Sequence, residues 1–219
     1  MSENTISSQR YEEIKTIIAE FLEDYDVREL PINVFALAEQ MGCKITRASE
    51  MPPLNPKNHP GTDRSPLLSS DGFNLYDEES KRIVIFLNDF DMPINRQRFT
   101  IAHEIAHIIL GHHEQGPIIE QEADFAAAYL LAPVSLCLLP GSSSIMDDPA
   151  QIQEVFQISN EAAWNAWDRF QTRWKYLCIP ECDYEGTINS LLGNSFRKKL
   201  EERRTVLAQA PSASGRANP

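Results

Sequence analysis

The sequence predicts an α+β fold, and three observations carry that expectation. Short β-type runs are confined to residues 43–87. Apolar residues at helical spacing occupy the chain on both sides of them. The 219 residues, 42% of them apolar, suffice for one sizeable core.

The elements follow in order. Tyr11, Ile14, Ile18, Phe21 and Leu22 share one face of a helix over residues 8–24. A shorter helix over 33–41 ends at Gly42, the residue type that best closes a helix in the left-handed conformation. Residues 43–47 form a candidate strand. Five prolines between 52 and 66 exclude a helix or central strand there, and His59 within that loop reads as a surface residue. Residues 73–76 and 82–87 flank the turn-like DEESK as a β-hairpin, whose second arm, with Ile83, Val84, Ile85, Phe86 and Leu87, is apolar enough for a buried strand. Helices over 98–111 and 118–132 are joined by a tight connection containing Gly111, Gly116 and Pro117, and Pro133 stops the second. Two more are expected over 148–157 and 160–176. The Ala-, Ser- and Pro-rich end reads as a disordered tail from about 203. The organisation expected is a domain over 1–178 with a C-terminal extension over 179–219.

Charge and composition narrow the function classes. A net charge of −12 and a pI of about 4.9 repel phosphate backbones, so direct nucleic-acid binding is not expected. With no apolar h-region at the N-terminus and no run long enough to span a bilayer, the chain reads as cytoplasmic, without a membrane role. Of Cys43, Cys137, Cys178 and Cys182, the last two form the one close pair. No second pair completes a thiolate metal site, so all four read as ordinary thiols. Trp164, Trp167, Phe170 and Trp174 lie at helical spacing and read as packing. The basic run from Arg197 to Arg204 reads as a solvated helix with local ion pairs.

Chemistry concentrates in RFTIAHEIAHIILGHH, residues 98–113, which holds four of the five histidines. His103, Glu104 and His107 spell H-E-x-x-H. On a helix, residues four apart stack on one face, so both imidazoles reach one cation. Glu104 lies one position round, directed at the cation's open side, where it can take a proton from water. Ile101, Ala102, Ile105, Ala106, Ile108 and Ile109 make the rest of the helix apolar, so its polar stripe is buried and needs partners.

Two residues compete as third ligand. His113 lies at the spacing of the longer motif H-E-x-x-H-x-x-G-x-x-H, but that motif's glycine position is Leu110, with Gly111 one residue late. A leucine at positive φ is strained. His113 therefore reads as a surface residue following a Gly111 cap. The alternative is Glu120: in an antiparallel helix hairpin it comes level with His107, and Asp124 comes level with His103. This E-x-x-x-D pair supplies a carboxylate ligand and an aspartate that orients a ligand histidine through its second nitrogen. Glu122 points about 200° away from Glu120 at 100° per residue and reads as solvent-facing or as an acid that stabilises the helix N-terminus. Two histidines, a carboxylate and water make a catalytic zinc set, with Mn²⁺ or Fe²⁺ also compatible by ligand type.

The block Arg98-Phe99-Thr100-Ile101-Ala102-His103-Glu104-Ile105-Ala106-His107 resembles the R-F-T-x-A-H-E-x-x-H block of the ImmA/IrrE metallo-endopeptidases. The run from Ile119 to Ala126, ending in Leu130-Leu131-Ala132-Pro133, resembles their second block, with Ala132 in place of the usual methionine. The resemblance covers roughly residues 8–175. It implies a zincin-like (gluzincin) domain, with a small sheet packed on the active-site helix. It also implies zinc held by His103, His107 and Glu120, with Glu104 as base and Asp124 behind His103. The implied substrate is a regulatory protein, a helix-turn-helix repressor of a phage, mobile element or stress regulon. The apolar strand at 83–87 is a candidate to pair with extended substrate. His112, His113, Tyr129 and Arg98 are unranked candidates for stabilising the oxyanion. A non-catalytic zinc-fold module that captures a partner is the alternative function.

Overall fold

The computed structural model describes residues 5–51, 70–139, 148–175 and 182–209. The proline-rich segment with His59, residue Cys178 and the end beyond 209 lie outside them. Among the described residues, seven α-helices surround a three-stranded sheet.

Helix α1 (Ser8–Asp24) starts at Ser7, whose hydroxyl accepts from the Arg10 amide, and α2 (Val34–Gln40) is capped in the same way by Asn33. Gly42, at φ +80°, turns the chain from α2 into β1 (Lys44–Arg47). The hairpin is present as β2 (Gly72–Asp77) and β3 (Arg82–Leu87). In its turn the Asp77 carboxylate accepts from the Glu79 and Ser80 amides. The strand order is β1-β3-β2, with β1 parallel and β2 antiparallel to β3. β3 is therefore central and paired on both sides, which corrects its assignment as the strand that receives substrate. Among the described residues the edges belong to β1 and β2.

Helix α3 (Ile94–Ile109) and helix α4 (Pro117–Leu131) follow, then α5 (Pro149–Phe156), α6 (Asn160–Lys175) and α7 (Asp183–Gln209). Ile101 and Ile105 of α3 and Leu130 and Leu131 of α4 are among the largest fully buried side chains. Each such residue contributes roughly 1.5–3 kcal/mol by burial, and together they fix how α3 is rotated against the sheet and α4. Helix α7 continues past 203, where composition had pointed to a tail. It buries Ile188, Leu191, Leu192, Phe196 and Leu200 in the same core cluster as the rest of the chain, so the C-terminal extension is part of one body. Its basic residues pair locally, Lys199 with Glu202 and Arg204 with Glu201, while Arg203 reaches Glu154 on α5. In the aromatic stripe Phe170 is buried, Trp164 is exposed, and the Trp174 side chain lies outside the described residues.

Arg98 is buried, and its guanidinium donates to the carbonyls of Phe156, Gln157 and Ile32. It ties α3 to the end of α5 and the start of α2. That removes it from the candidates for oxyanion stabilisation.

Gly72 sets the distance between the sheet and α3. A Cβ there would lie 2.5 Å from Thr100 Cγ2 and 2.8 Å from the Phe86 carbonyl oxygen. Gly72→Ala is expected to lower unfolding free energy by about 1–3 kcal/mol, as overpacking does, read as a fall in the urea midpoint. An unchanged midpoint would show that β2 can move away freely.

Candidate metal and peptidase site

Pro93 opens α3 and Gly111, at φ +67°, closes it. Over the closing turn, the Gly111 amide donates to Ile108 O and the His112 amide to His107 O, the paired bonds of a Schellman motif. The connection then reaches Gly116 and Pro117, and α4 returns along α3.

The polar stripe of α3 meets the first turns of α4 in the register expected of an antiparallel hairpin. His103 Nε2 and His107 Nε2 are 3.0 Å apart, and Glu120 Oε2 lies 3.3 Å from the first and 3.7 Å from the second. The circumcentre of these three atoms is about 2 Å from each, the ordinary length of zinc–imidazole and zinc–carboxylate bonds. Asp124 Oδ1 lies 2.9 Å from His103 Nδ1. A proton on Nδ1, facing that carboxylate, would leave His103 Nε2 bare and turned toward His107 and Glu120. At this spacing the three atoms share either a proton or a metal ion, and two imidazoles with a carboxylate are a donor set that fits zinc in both chemistry and spacing.

Glu104 is 5% exposed and accepts a 2.7 Å hydrogen bond from Asn74 Nδ2 on β2. Burial pushes its carboxyl pKa up, with the Glu120 charge adding to the rise and Asn74 and the His103 charge opposing it. His103 is shifted up: burial lowers it, but Asp124 and the charges of Glu104 and Glu120 outweigh that effect. His107 moves down, through burial and the neighbouring His103. A proton-accepting carboxylate with a raised pKa beside a converging ligand set is the arrangement a general base needs near neutral pH.

The expectation for Glu122 is corrected. It is not solvent-facing: α1 covers that side of α4, and Arg10 donates to Glu122 at 3.0 Å and 2.7 Å. The Arg10 bonds hold the Glu122 carboxyl below its ordinary range against a smaller opposing effect of burial. On its other side Glu122 Oε2 meets His112 Nε2 at 3.2 Å, and His112 Nδ1 meets His107 Nδ1 at 3.0 Å. His113 is exposed, as a residue beyond the Gly111 cap should be. Tyr129 is buried and lines a cavity with Glu12, Asp168 and Glu185, separate from His103, Glu104 and His107, which removes it from the oxyanion candidates. Asn74 is a residue that motif reading missed, and the contacts that His112 and Glu122 make were not foreseen. Asn74 carried no signal, since its role depends on β2 pairing beside α3. His112 had one: it follows the glycine that folds the chain back over His107.

The raised Glu104 pKa has a consequence for the metal-free protein. Between the unfolded carboxyl value of about 4.3 and the higher folded value, the native state binds the extra proton, so stability falls as pH rises through that window. Glu104→Gln is expected to remove this part of the slope. Its stability relative to wild type should increase with pH above about 4.3 and then level off, as measured by urea denaturation in chelator. A difference independent of pH would show that Glu104 is not strained by burial.

A search of curated proteins returns no match. The family model of the IrrE N-terminal-like domain (Peptidase_M78) matches residues 38–167, from the end of α2 into α6 and across every residue of the site except those contributed by α1. That is more than half of the chain, and the chain belongs to the ImmA/IrrE family of metallopeptidases.

Proposed function

We propose that this chain is a zinc-dependent endopeptidase of the gluzincin type, with His103, His107 and Glu120 holding the metal, Asp124 orienting His103 and Glu104 as general base. The observation that carries the reading is the placement of Glu104. A scaffold that only binds a partner has no need of a buried, hydrogen-bonded carboxylate beside three converging ligand atoms. Zinc bound there supplies Lewis acidity, polarising a scissile carbonyl and lowering the pKa of water to about 7.

The chain's own residues supply the rest. Glu104 takes the proton of the attacking water and hands it to the departing amine. Asn74 donates to one oxygen of the Glu104 carboxylate, so its two oxygens are not equivalent. Extended substrate is best accommodated along β2, the edge strand that carries Asn74, by strand addition. A cavity of about 770 Å³ beside Asp124, walled by Arg96, Phe99, Phe125, Leu131 and Asn165, offers room for a substrate side chain. Family membership supports a protein substrate, and within the family's range the reading favoured is a helix-turn-helix repressor of a phage, mobile element or stress regulon.

Two substitutions test the assignment. Glu104→Gln is expected to retain one metal per chain while cleavage falls at least about a hundredfold, the scale of a lost general base. Glu120→Ala is expected to lose the metal. Metal content is read by elemental analysis, and cleavage by incubation with the repressor encoded nearest the gene. Full biological function in Glu104→Gln would instead favour a non-catalytic capture module. Normal metal in Glu120→Ala together with loss in His113→Ala would overturn the ligand set.

A further inference from the structure

His107 has one ring nitrogen at the site and one behind it, and the second is engaged by a chain of contacts that ends on another helix. His112 Nδ1 lies 3.0 Å from His107 Nδ1, His112 Nε2 lies 3.2 Å from Glu122 Oε2, and Arg10 on α1 donates to both Glu122 oxygens, at 3.0 Å and 2.7 Å. The inner members are shielded from water, with side chains 8% exposed for His112 and 12% for Glu122. The Schellman turn at Gly111 puts His112 there, since the same turn aims its amide at the His107 carbonyl.

Proton placement along this chain has few solutions. Arg10 can only donate, so the Glu122 oxygens accept from it, and Glu122 accepts again from His112 Nε2–H. One proton then lies between the two Nδ1 atoms. If it belongs to His112, that ring holds both protons as an imidazolium ion beside the Glu122 carboxylate, and a neutral His107 then carries its proton on Nε2 and cannot bind a metal. If it belongs to His107, then Nε2 of His107 is bare and faces His103 and Glu120. Only the second arrangement serves the site.

We propose that His112, held by Glu122 and Arg10, is a positioning residue that fixes His107 in the tautomer with a bare Nε2 and so strengthens zinc binding. It plays for His107 the part that Asp124 plays for His103, with a neutral imidazole backed by an ion pair in place of a carboxylate. The proposal rests on the ligand set given under Proposed function. Its origin is distributed: Gly111 and His112 follow the motif helix, Glu122 lies on α4, and Arg10 lies outside the stretch that matches the family. The N-terminal helix thus reaches the metal centre without touching it.

The test compares full-length wild type with His112→Leu, His112→Gln and Glu122→Gln. Zinc affinity is measured by competition with a chromophoric chelator, and the His107 tautomer by ¹⁵N NMR of the metal-free proteins. His112→Leu removes the acceptor and is expected to weaken zinc binding about tenfold to a hundredfold, with His107 passing to a mixture of tautomers. His112→Gln offers an amide oxygen to His107 Nδ1–H and an amide N–H to Glu122, and is expected to recover most of the affinity and the single tautomer. Glu122→Gln keeps the shape of the chain and is expected to show a smaller loss with the same NMR signature, which serves if His112→Leu does not fold. Wild-type affinity in His112→Leu, or an equal fall in His112→Gln with an unchanged tautomer, would overturn the proposal. Should wild type itself bind no zinc, the ligand assignment fails, while the NMR comparison still decides whether His112 sets the tautomer.

Discussion

Two imidazole nitrogens and a carboxylate oxygen, 3.0 to 3.7 Å apart, are the arrangement on which the rest of the structure depends. For all three atoms to be bare at that spacing, the surrounding fold has to hold them together against the repulsion of their lone pairs. It does so with apolar anchors on the far side of α3, at Ile101 and Ile105, and with small residues on α4, where Ala123, Ala126 and Ala127 are buried and let the helices approach. Gly72 admits β2 close to α3, and that closeness lets Asn74 reach Glu104. The apolar packing and the polar site share the same elements.

Each inward-facing polar group has a partner suited to its task. Asp124 stands behind His103, and the chain of His112, Glu122 and Arg10 stands behind His107. Asn74 holds Glu104, whose burial leaves it a better proton acceptor than an exposed carboxylate. Arg98 lies in the same motif helix but has a different task. Its three carbonyl partners make it a clasp between helices, placed by the motif and uninvolved in the chemistry. The family match begins at residue 38, yet α1 closes the polar chain from outside it and α7 covers α1.

Much of this was legible in the sequence because helical periodicity is local. The spacing of four between His103 and His107, and of four between Glu120 and Asp124, survives any tertiary arrangement. The glycine at 111 fixed the turn that brought the two pairs level. Gly42 and the DEESK turn marked their elements for the same reason. What could not be read depended on contacts between distant segments. Glu122 looked solvent-facing because the face opposite Glu120 had no assigned cover, and only the docking of α1 brings Arg10 to it, 112 positions away in sequence. β3 looked like a substrate strand because its apolar run says that it is buried, not which neighbours bury it. The helix beyond 203 escaped notice because Ala and Ser composition does not reveal that Arg203 binds Glu154 on α5.

The central claim is that one cation is held by His103, His107 and Glu120, and zinc K-edge X-ray absorption of the zinc-loaded full-length protein tests it most directly. The account predicts light-atom neighbours at about 2.0–2.1 Å with multiple scattering from two imidazoles, and no sulfur. Scattering from three imidazoles would place His112 or His113 on the metal and contradict it. So would a sulfur shell at about 2.3 Å, which would assign the cation to the cysteines.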